Sequence, residues 1–189
     1  METFNPIKEE DGKKAKRIVW STATLNKAID GLKRGRKLVA NPFYENNIKL
    51  LKGDLLFERT PEEVEEWKRC KDDILYFVEK YVKFLTPEGI QNVKLRDYQK
   101  KYLKHLEKNQ LSIMISCRQA GKTTTTGAFL LHYVCFNFDK NTMVLGNKRK
   151  TAIEILDKMR KMFVELPFFL KPGIYKWNEG EIAFDNVCR

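Results

Sequence analysis

The run Ser116-Cys117-Arg118-Gln119-Ala120-Gly121-Lys122-Thr123 gathers the side chains that a polyphosphate needs. It fits the pattern G-x-x-x-x-G-K-[ST], with Ser116 standing where the first glycine would be. Gly121 lets the backbone curl so that successive N–H groups face inward and form a nest for anionic oxygens. Lys122 adds a mobile positive charge for the β- and γ-phosphates, and the Thr123 hydroxyl is a ligand for Mg²⁺. The predicted nucleotide-contacting set runs from Ser116 through Thr124, with ATP and Mg²⁺ as cofactors and Thr123 as the metal ligand. A Gly-Lys-Thr tripeptide alone says little. Its meaning comes from its place between two apolar runs.

The first of these runs, Leu111 to Ile115, has the length of a strand, and the second, Ala128 to Phe136, that of a helix. A helix starting at the lysine would direct its dipole and free N–H groups at the same phosphates. After an Asn137–Asn141 turn, Thr142 to Gly146 reads as a second short buried strand. Lys150 to Glu165 then reads as a second helix, with Ile153, Leu156, Met159 and Phe163 on its inner face. Strand–helix–strand–helix predicts a βαβ unit and an α/β fold with a parallel sheet. Lys148, Arg149 and Lys150 fall where the second strand would end, at the side of a parallel sheet that carries the ligand crevice. The cluster suits phosphates of ATP or DNA, and equally a solvated basic turn.

Upstream, Leu95-Arg96-Asp97-Tyr98-Gln99 leads into a helix through about Leu106. A glutamine carboxamide offers a donor and an acceptor together, matching the N7 and N6 edge of adenine. Gln99 is therefore a candidate for reading the base, with Tyr98 or Leu95 covering it. On its own the segment also reads as an ordinary amphipathic helix with Tyr98, Tyr102, Leu103 and Leu106 facing a core.

The chain of 189 residues is expected to divide into a basic arm over residues 1–20, a mostly helical segment over 21–86, and the first part of a phosphate-binding α/β domain over 87–189. Ser21 or Thr22 can cap a helix through Leu32. Thr60-Pro61-Glu62-Glu63 is a helix start, and Val64, Trp67, Ile74, Val78 and Tyr81 carry its period to about Phe84, where Thr86-Pro87-Glu88-Gly89 closes it. Trp177 to Phe184 reads as a tight hairpin. A formal net charge of +11 favours an acidic partner, nucleic acid being the commonest. Cys70, Cys117, Cys135 and Cys188 lack C-x-x-C spacing, and with only His105 and His132 no zinc site is expected. Free thiols, no signal peptide and no apolar run long enough to span a bilayer lead to the expectation of a soluble intracellular protein.

Ser116 to Thr124 resembles the P-loop of the large terminase subunit of tailed bacteriophages, particularly the T4-like ones, in which the first glycine is typically lost and an Arg-Gln pair precedes Gly-Lys-Thr. Leu95 to Gln99 is similar to that family's adenine motif, and the likeness continues through Val134–Asn137, Leu166-Pro167, Phe169–Ile174 and Trp177-Asn178. The resemblance covers roughly Val93 to Asn186. It implies the P-loop ATPase part of a motor that packages double-stranded DNA into a preformed capsid. The implied partners are a portal ring and a small terminase subunit, with several copies on the portal, no membrane, and the cytoplasm of an infected bacterium as the location. It further implies phosphate and Mg²⁺ roles for Lys122 and Thr123 and an adenine role for Gln99. Arg118 becomes a candidate arginine finger, a device that speeds phosphoryl transfer roughly a thousandfold or more.

An ATPase also needs a carboxylate for Mg²⁺ and a glutamate to activate water, normally at the end of an apolar strand. The nearest approach here is Ile182-Ala183-Phe184-Asp185, where Asn186 replaces the glutamate. The expectation is an N-terminal piece that binds ATP without hydrolysing it alone, the carboxylate strand, coupling motif and nuclease domain lying elsewhere. Two other readings compete: a superfamily 2 helicase fragment, which would usually keep the first glycine, and a non-catalytic interaction module.

Overall fold

The computed structural model describes residues 18–38, 40–92 and 94–186. The basic arm expected over residues 1–20 therefore lies mostly outside the described residues. Its end does not: Val19–Trp20 is a strand, β1, paired in parallel with β2, Leu56–Phe57.

The helices start where local chemistry says they should. Ser21 caps α1 (Thr22–Lys33) by accepting from the Thr24 amide. Thr60 and Glu63 form a reciprocal capping box at α2 (Pro61–Asp72), with proline in the first turn. The long helix predicted to run to Phe84 is instead broken. The Asp73 carboxylate accepts from the amides of Leu75 and Tyr76, ending α2 and capping α3 (Ile74–Tyr81). Thr86 to Gly89 is likewise not a helix end. It turns a hairpin between β3 (Lys83–Thr86) and β4 (Gly89–Asn92). Three further helices follow, α4 (Asp97–Lys108), α5 (Lys122–Phe136) and α6 (Arg149–Glu165). An antiparallel hairpin of β5 (Ile174–Trp177) and β6 (Ile182–Phe184) closes the described chain, as expected for that segment.

Helix α5 is the central element. It packs against α6 on one side and against α3 and α4 on the other, which is why it is apolar nearly all round. Phe136 meets Phe77 edge-on at 5.2 Å and Trp67 at 5.4 Å, and His132 is bonded at 2.9 Å to the carbonyl of Cys70. One continuous core joins Leu50, Cys70 and Phe77 to Leu131, Phe163 and Phe184. A smaller one gathers Trp20, Leu25, Ala28, Phe43 and Leu51. The two are stitched where Gly53 donates to the Ile174 carbonyl and Ile174 to that of Leu51.

The architecture is mixed α/β, but the parallel sheet expected around the phosphate loop is not present among the described residues. Leu111–Ile115 and Thr142–Gly146 are not strands, and neither belongs to a sheet among the described residues. Leu111, Ile113 and Ile115 are 92, 93 and 94% exposed, and Met143 and Leu145 are each 83% exposed. Parallel strands are stable only where neighbours complete both ladders and other elements cover both faces. Neither condition is met here, so an apolar run of strand length stays unpaired. Among the described residues the parallel pairings are β1 with β2 and a single bridge of Lys52 with Ile174, all remote from the loop in sequence. Among the described residues no helix is long and apolar enough to cross a membrane.

Candidate nucleotide-binding site

The loop from Ser116 to Gly121 turns sharply before α5 because two of its residues adopt left-handed backbone conformations. Gln119 has φ 61° and Gly121 has φ 75°. For glutamine this is a costly region, of order 1–3 kcal/mol, and such residues concentrate at ligand clamps. A Cβ placed on Gly121 would lie 2.8 Å from Nε2 of Gln99, so the Gln99 side chain would have to move aside. The Gln99 carboxamide therefore sits directly against the turn, while its oxygen accepts from the Arg96 amide at 3.0 Å.

Gly121 is also the N-cap of α5, and no side chain caps the helix. The first turn of a helix leaves its amides without intrahelical partners. Here those amides belong to Lys122, Thr123 and Thr124, and no acidic residue lies in that turn. A lysine followed by four threonines is a poor way to start a helix. Both the positive charge and the β-branching oppose it. Such a local conflict is the signature of a site shaped for something else, and an anion at this end would resolve it.

The Lys122 ammonium folds back over the loop, donating to the carbonyls of Ser116 at 2.9 Å and Cys117 at 3.1 Å. Ser116 Oγ is buried with no hydrogen-bond partner. An orphaned hydroxyl costs free energy unless a ligand satisfies it. The Thr123 side chain has no hydrogen-bond partner among the described residues, whereas Thr125 and Thr126 are engaged, by the Gly121 carbonyl and by Tyr102 at 3.1 Å. Arg118 and Cys117 are exposed. A cavity of about 420 Å³ borders the loop, lined by Arg96, Tyr98, Ser116, Arg118 and Gln119 among others, and no carboxylate lines it. A nest of amides, three cationic side chains and free hydroxyls fits the phosphates of a nucleotide. The site residues named from sequence, Ser116 through Thr124 with Gln99 and Tyr98, thus lie in one place.

Helix α4 brings Tyr98 and Gln99 there. Tyr98 donates to the Ala120 carbonyl at 2.9 Å, so its ring is tied to the loop. This tie and the Tyr102–Thr126 bond join residues far apart in sequence, and no local pattern announces them. Asp185, the nearest approach to a metal-binding carboxylate in sequence, lies elsewhere. It borders a separate cavity with Arg59, and burial pushes its carboxyl above the usual range. Next to it, Asn186 donates to the carbonyls of Val134 at 2.6 Å and Asn137 at 2.9 Å, at the far end of α5. A helix the length of α5 spans roughly 20 Å, so Asp185 and Asn186 sit about that far from Lys122. Lys148, Arg149 and Lys150 are exposed, with Arg149 4.0 Å from Glu179.

Compared with known families, residues 113–189 match the model described as terminase large subunit, T4likevirus-type, N-terminal. The match begins just before the loop and takes in α5, α6 and the terminal hairpin.

Proposed function

From the match of residues 113–189 to the N-terminal region of T4-like terminase large subunits, we propose that this chain carries the ATP-binding part of a motor that packages double-stranded DNA. ATP supplies the anhydride whose cleavage would drive movement of DNA, with Mg²⁺ offsetting charge on its phosphates. The observation that carries the reading is the uncapped, acid-free N-terminus of α5 behind a turn of two left-handed residues, with an orphaned Ser116 hydroxyl facing no partner.

In this reading the amides of Lys122, Thr123 and Thr124 hold phosphate oxygens. The Lys122 ammonium leaves the carbonyls of Ser116 and Cys117 for the phosphates. Thr123 offers its hydroxyl to the metal, Gln99 reads the adenine edge, and Tyr98 lies beside the base. Arg118, exposed on the rim, is placed to meet charge on a transferred phosphoryl. Neither Asp185 nor Asn186 reaches the loop, so the chain by itself binds nucleotide without turning it over. The portal, the small subunit and further copies of the chain are the assembly partners of this role, in the cytoplasm of an infected bacterium.

The test is ATP titration and phosphate release on the same purified chain with Mg²⁺. Saturable binding without release is the expected result. Release above background would overturn the claim that the chain lacks its catalytic carboxylate, and absence of binding would overturn the site.

A further inference from the structure

Helix α4 has two unlike faces. Tyr98 and Tyr102, one turn apart, hold the phosphate loop and the first turns of α5, and Leu103 is buried between them and the core. On the other side Lys101, Lys104, His105 and Lys108 are all exposed. The spacing i, i+3, i+4, i+7 puts them in one row on the helix surface. Among the described residues none of these three lysines forms an ion pair, whereas Lys100, on the flank, is held by Glu79 at 2.7 Å. Two acids border the row without an ion pair to it: Asp97, one turn before Lys101, and Glu107, whose carboxyl is pushed up by burial and by Asp73 against the opposing pull of Lys104 and Lys108. The row is therefore a strip about 10 Å long with three lysines that no ion pair holds, a net positive surface on one face of the helix.

We propose that this row is a contact surface for the phosphate backbone of duplex DNA. Charge complementarity selects the partner: regularly spaced lysines on a fixed helix match regularly spaced phosphates and carry no groups that would read bases. The inference deepens the DNA half of the reading above. It also gives α4 a place in the motor, because the helix that touches DNA on one face touches the nucleotide loop on the other. Another basic cluster, Lys33 at the end of α1 with Arg34 and Lys37 just beyond it, is on a different element from the phosphate loop.

The experiment is duplex-DNA affinity of the full chain by fluorescence anisotropy across a salt series, with two charge-matched variants. K101A/K104A/K108A removes the row, and K33A/R34A/K37A removes the same charge elsewhere. Each phosphate contact contributes roughly 0.9 to the slope of log K against log salt, so the row variant is expected to flatten the slope by about 2.7 and the control by far less. Alanine is a better helix former than lysine, so the row variant keeps α4, as circular dichroism would check. An unchanged slope in the row variant, or an equal loss in the control, overturns the proposal. So does displacement of the DNA by polyglutamate at matched charge, which would assign the row to an acidic protein. None of these outcomes depends on ATP, so a failure of the nucleotide site would be read separately, in Lys122→Ala.

Discussion

Lys171 is only 4% exposed, although its side chain ends in an ionisable amine. Its Nζ donates to the carbonyls of Lys49 and Val164, each at 2.9 Å, and lies over the ring of Phe168 at 5.1 Å. It pins the segment after α6 to the N-terminal part of the chain. Desolvation outweighs the attraction of Glu165 and lowers its pKa from 10.5 to about 7. The unfolded chain therefore binds more protons than the folded one between these values, and stability rises with pH across that window. Each pH unit is worth about 1.4 kcal/mol. Between about pH 7 and pH 9 the wild type should gain roughly 2 kcal/mol from this group alone, or about 4–8 °C in Tm for a chain of this size. Lys171→Met keeps the length of the side chain and removes the titration. The assay is thermal unfolding of both proteins at matched ionic strength over that range. The expected result is a difference between the two curves that moves in favour of the wild type as pH rises. Parallel curves would refute the burial argument, because a lysine with an ordinary pKa has no slope there.

Two smaller predictions concern the loop and its remote end. Ser116→Ala removes a buried hydroxyl that has no partner, so unfolding of the free protein should be unchanged or slightly later. ATP should bind about five- to tenfold more weakly, the worth of one hydrogen bond, and an undiminished affinity would show that the hydroxyl does not meet phosphate. Asn186→Asp turns an amide that donates to two carbonyls into a group that can only accept. It should cost about 2–4 kcal/mol in denaturant unfolding and leave ATP affinity unchanged; reduced affinity in the folded variant would place Asn186 nearer the loop than its bonds do.

The parts of this chain that were legible in sequence are those whose chemistry is contiguous. The loop, the caps at Ser21 and Thr60, and the turn through Asn178 and Glu181 each depend on a few adjacent residues, and each formed where its pattern lay. The break at Asp73 was hidden because an aspartate within a helical period looks like a solvent-facing residue. Only its bonds to Leu75 and Tyr76 reveal a cap. Thr86-Pro87-Glu88-Gly89 is ambiguous in sequence because proline and glycine end helices as readily as they turn hairpins. The signal that could have separated these was Leu85 and Ile90 flanking the turn, which pair across it. Leu111–Ile115 and Thr142–Gly146 failed for the opposite reason. Apolar runs specify strands only with partners present, and periodicity does not contain the partner. The ties of Tyr98 and Tyr102 to the loop were equally invisible, since both tyrosines also fit an ordinary core-facing stripe.

The most direct test of the central claim is the affinity of Lys122→Ala for ATP with Mg²⁺, measured beside the wild type by isothermal titration. The ammonium now bonded to the Ser116 and Cys117 carbonyls would pass to a phosphate, a charge-assisted bond worth about 1.5–3 kcal/mol. The account predicts an affinity roughly ten- to a hundredfold weaker in a variant that remains folded. Equal affinity in the two proteins would contradict it, and the loop would be a turn that holds no nucleotide.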